Sequence, residues 1–174
     1  MTRAKTAPAK AARVKADILI QSRRWDRLAR AKSIIRRALD AAAEGSKTTS
    51  AEVTVVLTHD KAIRELNHQF RGFDKATNVL SFPSAAPDGH IGDIVIAYET
   101  MAREAKDDAK TLGHHLSHMA VHGFLHLVGH DHENPREANK MEALEKRVLA
   151  TLGIADPYAD TDVVKAKKSS RKSR

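Results

Sequence analysis

The segment His122-Gly123-Phe124-Leu125-His126-Leu127-Val128-Gly129-His130-Asp131-His132 carries three histidines at a spacing that suits one metal ion with three imidazole ligands. On a helix His122 and His126 leave the same face on successive turns, about 6 Å apart at Cβ, close enough for one ion to bridge them. Gly129 lets the chain leave the helix through a left-handed conformation, so that His132 can swing back over that face. Three neutral imidazoles leave a fourth tetrahedral position for water, which is the arrangement of a catalytic zinc site rather than a structural one. The chain has no cysteine, so a closed thiolate site is excluded. Seven of the ten histidines fall within residues 114 to 132, which separates this pattern from a chance pair four apart.

The same H-x-x-x-H-x-x-G-x-x-H spacing occurs in metzincin peptidases, which carry a glutamate directly after the first histidine as general base. Here that position is Gly123. Without it the motif has no group to take a proton from metal-bound water during amide hydrolysis, a role worth about 10²–10⁴-fold. A zinc peptidase is therefore the alternative, behind a hydrolase of another bond.

The run HGFLHLVGHDH resembles the signature of the YbeY family, single-strand-specific metal-dependent endoribonucleases of ribosomal RNA maturation. Two further blocks, Phe70 to Pro83 (FRGFDKATNVLSFP) and Gly92 to Ile96 (GDIVI), resemble that family's other marked segments in the same order. The resemblance spans residues 17 to 155. It implies that His122, His126 and His132 bind one Zn²⁺ per chain and that Arg71 engages the RNA backbone. It also implies single-stranded ribosomal RNA as substrate, processing at the 16S 3′ end, and the small ribosomal subunit or its assembly factors as partners. One departure is visible: the family usually has tyrosine before the Asp-His pair, where this chain has His130, either a packing substitute or an extra proton carrier or ligand.

Other residues near the motif admit two readings each. Asp131 either orients a ligand imidazole or acts as a base near metal-bound water, or else it bonds nearby backbone amides, as an aspartate just past a helix often does. His118 lies about 80° around the axis from His126 and is expected as a wall residue or a group behind the ligands rather than as a ligand. His114 and His115 are expected to face solvent or cap the helix, and His59, His68 and His90 have no assigned role. Arg71, in a glycine-containing loop, offers a permanently charged fork that grips phosphate through two parallel hydrogen bonds.

Formal net charge is +8, yet its distribution matters more than its total. Residues 1 to 15 hold five basic residues and residues 165 to 174 hold six, with no acid in either stretch. Of the 30 basic residues these ends take 11, leaving 19 against 22 acidic residues in 16 to 164, a net of −3. Lysine-rich ends without an apolar stripe cannot offset their ordering entropy. Residues 1–16 and 156–174 are thus expected to be disordered basic extensions that raise affinity for RNA phosphates through counterion release, flanking one catalytic domain at 17–155. No apolar run reaches membrane-spanning length and no signal-peptide core is present, so the expected location is the cytoplasm.

The elements that must position these residues read as a small α+β fold, a mixed four-stranded sheet with about five helices. Strands are expected at Asp17–Ile20, Val53–Leu57, Asn78–Phe82 and Ile94–Tyr98. Helices are expected from Asp26 to Gly45, around Ile63 to Phe70, from Glu99 to Leu112, from His114 to Val128 with the metal site at its end, and from Pro135 to about Leu152. Asn134-Pro135-Arg136-Glu137 is a good helix start that would fix His132 against the core. One Trp, two Tyr and four Phe, most of them placed where the core needs them, point to recognition by backbone charge and groove shape rather than base stacking. Three classes of function result: the RNA hydrolase, the zinc peptidase, and a non-catalytic ribosome assembly factor that uses zinc structurally.

Overall fold

The structure, a computed structural model, describes residues 13–159. Its elements in chain order are β1 (Arg13–Ile20), a 3-10 turn (Arg23–Arg27), α1 (Ala31–Gly45), β2 (Ser50–Thr58), α2 (Asp60–Arg71), β3 (Val79–Pro83), β4 (His90–Ala97), α3 (Tyr98–Asp107), α4 (Leu112–Leu127) and α5 (Pro135–Thr151). The four strands form one mixed sheet in the order β1-β2-β4-β3, with β1, β2 and β4 parallel and β3 antiparallel to β4.

Strand alternation decides which helices cover which face. In β2 and β4, Val53, Val55, Leu57, Ile94 and Ile96 point into the main core, where they meet Ile35 and Leu39 of α1, Phe124 and Leu125 of α4, and Leu144 and Val148 of α5. The intervening Val95 and Ala97 point the other way and pack with Leu80 of β3 under Ile63 of α2. Period-2 alternation thus gives the sheet two apolar faces, each needing its own helical layer. Helix α4 lies at the centre of the larger layer. From His115 to Leu127 only His122 and His126 escape full burial.

The local signals for these helices are those the sequence carries. Asn134 caps α5 by accepting from the Glu137 amide at 3.0 Å, with Pro135 in the first turn. Thr111 caps α4 through His114 N at 3.1 Å. His59, to which the sequence assigned nothing, caps α2 by accepting from Ala62 N at 3.2 Å.

Several boundaries differ from expectation. Strand β2 begins at Ser50 and β4 at His90, Tyr98 opens α3 instead of closing β4, and α3 ends at Asp107 rather than Leu112. Three further differences have a visible cause. Strand β1 begins at Arg13, so residues 13–16 belong to the sheet and not to a disordered extension ending at 16. Pairing with β2 recruits them, Val14 and Ala16 packing inward while Lys15 turns out to Glu52 at 2.9 Å. Helix α1 starts at Ala31 rather than Asp26 because the preceding 3-10 turn buries Trp25, whose Nε1 donates to Thr58 O at 2.9 Å. At the other end, Asp156 to Tyr158 fold back onto α5 instead of opening the expected tail, held by Lys146–Asp156 at 3.3 Å. The rest of both expected extensions lies outside the described residues. Among the described residues no helix is long and apolar enough to cross a membrane.

Candidate metal centre

Helix α4 delivers His122 and His126 on successive turns, and the chain then reverses. Gly129 adopts φ 91°, the left-handed value that a side chain would resist. Its amide and that of His130 close the helix end on His126 O and Leu125 O at 3.1 and 2.9 Å. The reversal brings His132 back, so that one ring nitrogen from each of His122, His126 and His132 lies within 4.8 Å of the others. The Nε2 atoms of His122 and His126 are 3.1 Å apart, and the His132 ring centroid lies 5.8 and 4.9 Å from those of His122 and His126.

Behind this cluster stands Glu145, on the buried side of α5. Its Oε1 accepts from His122 Nδ1 at 2.6 Å. That bond fixes the proton on Nδ1 and leaves the lone pair of Nε2 pointing at His126 and His132, the tautomer a metal ligand needs. Tyr158 Oη donates to the other carboxylate oxygen, and His118 Nε2 lies 3.8 Å from it. Burial opposes ionisation of Glu145, but the hydrogen bonds and charge of His118 and His122 outweigh it and hold the carboxyl well below the usual range. The same burial and the same carboxylate push the Tyr158 hydroxyl up. Burial, with His122 and His132 alongside, pushes the His126 imidazole down to about 4. It is therefore neutral at physiological pH and has a free lone pair. This donor set, three nitrogen ligands with one ring anchored from behind, fits a divalent ion of the zinc type.

The histidines open into a cleft of about 660 Å³ that is also lined by Arg71, the last residue of α2, and by Phe73 in the loop that follows. His130 and Asp131 also line it. Of the two readings of Asp131, the local one is seen: its Oδ1 accepts from the amide of His132 at 2.7 Å, steadying the backbone of the third histidine. His118 stands behind the ligands rather than on the cleft wall, its Nε2 3.8 Å from Glu145 Oε2 and its ring 5.7 Å from that of Tyr158. His114 is exposed, but His115 corrects the expectation of a solvent-facing group: it is buried and its Nε2 meets Glu104 at 2.8 Å. Position 115 lies on the buried side of α4, where a polar group needs a hydrogen-bond partner.

A profile of the endoribonuclease YbeY family matches residues 19–153. The chain belongs to this family. Relatives named endoribonuclease YbeY include one from Bradyrhizobium diazoefficiens, 52% identical over 155 residues that cover 83% of this chain and 85% of the relative. Another, from Rhodopseudomonas palustris strain BisB18, is 51% identical over 85% of this chain and 94% of the relative. A solution structure of a Thermotoga maritima protein is 26% identical and aligns with a TM-score of 0.50 over 82% of this chain and 97% of that one.

Membership in this family agrees with the packing at Gly123, where the metzincin glutamate would stand. A Cβ there would lie 2.8 Å from Ile94 Cγ2 and 3.1 Å from Ser81 Oγ, and Ser81 donates to Gly123 O at 3.2 Å. Helix α4 meets the sheet too closely for any side chain at that position, so the peptidase reading is not favoured. The residues that sequence reasoning missed are Glu145 and Tyr158. A signal for Glu145 exists: it occupies a core position of the α5 stripe Met141, Leu144, Glu145, Val148, where an acid demands a buried partner. Tyr158 lies beyond the family match, in a stretch whose composition resembles a tail.

Proposed function

We propose that the chain is a zinc-dependent endoribonuclease that cuts single-stranded RNA, acting in the cytoplasm on ribosomal RNA at the 16S 3′ end together with the small ribosomal subunit or its assembly factors. The observation that carries the catalytic part is the convergence of three imidazoles, one anchored by buried Glu145, on a cleft that exposed Arg71 also lines. Family membership supplies the RNA.

His122, His126 and His132 would hold the ion, which when bound supplies Lewis-acid polarisation of a phosphate oxygen and a lowered pKa for bound water. The chain's own groups do the rest. Glu145 keeps the His122 ring in one orientation and tautomer, and Asp131 steadies the loop of His132 through its amide. Arg71, exposed at the same cleft, binds the phosphodiester and offsets charge that grows on it as the phosphorus becomes five-coordinate. An Arg71 fork also aligns the substrate, since two parallel bonds fix its plane. The basic ends of the chain add affinity for RNA that is independent of sequence.

The test is cleavage of single-stranded and duplex RNA by metal-quantified protein, comparing wild type with His126→Ala and Arg71→Ala. The wild type is expected to cut only the single strand, and both variants to lose most of that activity. An inactive wild type, or three equally active proteins, would overturn the proposal. The product ends distinguish attack by water from attack by the ribose 2′-hydroxyl.

A further inference from the structure

Two aromatic rings stand in solvent, against the expectation that most aromatics lie in the core: Phe70 is 59% exposed and Phe73 58%. Phe70 leans edge-on against Phe82, with centroids 5.1 Å apart. Phe73 has no such aromatic neighbour among the described residues and lines the histidine cleft with Arg71. Its backbone is held from several sides. Gly72 turns through φ 75°, the Phe73 amide donates to Asn67 O at 3.3 Å, and Phe73 O accepts from Lys75 N at 2.9 Å. Asn67 Nδ2 reaches Lys75 O at 2.8 Å, and Arg64 grips Asp74 through two bonds of 2.7 and 2.8 Å. The Lys75 ammonium lies 5.8 Å from the ring centroid. An exposed phenyl ring costs solvation, and a loop tied this firmly spends little entropy when it engages a ligand.

We propose that Phe73 is a stacking platform for one unpaired nucleobase of the substrate, with Arg71 beside it on the phosphate of the same strand. This rests on the reading of the cleft as an RNA site and deepens it. A single strand presents unstacked base faces, which an aromatic ring receives without regard to base identity, while a base locked in a duplex cannot be received. The platform therefore supplies a structural reason for single-strand preference combined with weak sequence preference. The cations at Arg71 and Lys75 match the charge of the backbone that must run past the ring.

The experiment measures binding by fluorescence anisotropy, using zinc-loaded full-length protein and an uncleavable single-stranded oligonucleotide with 2′-O-methyl riboses and phosphorothioate linkages. A series of oligonucleotides carries one abasic residue at each position in turn. Phe73→Ala is expected to weaken binding about 5- to 150-fold, the range for loss of one base–aromatic stack, while Phe73→Trp retains it and Phe70→Ala changes it by less than about 2-fold. At one position the abasic residue should weaken wild-type binding by a similar factor yet leave Phe73→Ala almost unaffected. Unchanged binding in Phe73→Ala overturns the platform, as does an abasic penalty that is the same in wild type and variant at every position. Failure of the endoribonuclease reading shows instead in the cleavage assay, where wild type would leave RNA intact even though the coupling at Phe73 persists. No wild-type binding at all overturns both.

Discussion

On the α4–α5 side of the cleft the groups behind the imidazoles are buried: the Glu145 side chain is 1% exposed, His118 11%. On the α2–β3 side Arg71 and Phe73 stand in solvent, and their loop is secured by a surface pair, Arg64 and Asp74, 54% and 61% exposed. The contrast follows from what each wall must do. An ion needs ligands already aimed at it, and a carboxylate fixes an imidazole best where water cannot compete, although its burial is offset only by several hydrogen bonds. A polymer must slide in from solvent, so the groups that meet it stay exposed, and rigidity there comes from the backbone.

If the division of labour is real, single substitutions should separate metal affinity from RNA handling. His126→Ala is expected to have the largest effect, weakening zinc binding by more than the roughly 100-fold that marks the upper range for groups behind a ligand. Chelator competition with elemental analysis measures it, and RNA cleavage should vanish with the metal. Arg71→Ala should leave zinc affinity as it was while kcat/KM on single-stranded RNA falls about 10- to 100-fold, the cost of a hydrogen bond to a charged group. A loss of zinc in this variant would erase the distinction between the walls.

Glu145→Ala should weaken zinc binding about 10- to 100-fold, and Glu145→Gln less, because an amide oxygen still accepts from His122. Were RNA affinity to fall while zinc stayed bound, the buried wall would have been misassigned. Gly123→Ala acts on the scaffold that joins the walls: the added methyl forces α4 away from Ile94, and a loss of about 1–3 kcal/mol in thermal unfolding is expected.

The smallest effect concerns pH. In the metal-free protein His126 titrates at about 4, against 6.5 for its ordinary value, so the unfolded chain binds a proton that the folded chain refuses. Stability should therefore decline as pH falls from about 6.5 towards 4. His126→Ala should lose less melting temperature than metal-free wild type between pH 7 and 5. An equal loss would show that the imidazole is not held neutral by its surroundings.

Much of the fold was legible because period and punctuation agree along the chain. Val53 to Leu57 is a β-branched, apolar run, Asn134-Pro135 starts a helix, and Gly129 stops one, and the structure has a strand, a helix and a reversal in those places. What was hidden depends on neighbours distant in sequence. Residues 13–16 resemble a basic tail until β2 offers them a strand to pair with. His115 resembles a surface residue until Glu104, on α3, is set 2.8 Å away. Tyr158 reads as tail until Glu145, 13 residues earlier, becomes its acceptor.

By itself the amino-acid order determined which side chains share a helical face and where that helix must end, since these follow from 3.6 residues per turn and from the conformational freedom of one glycine. Thus His122, His126 and His132 could be grouped before any packing was known. Only the tertiary structure decided what lies behind them and what else lines their cleft. Glu145 is brought to His122 by α5 packing on α4, and Phe73 is brought to the cleft by α2 lying on the opposite face of the sheet. Such contacts arise from the joint burial of two apolar faces, and no local periodicity specifies which charged or aromatic residue that burial will carry along.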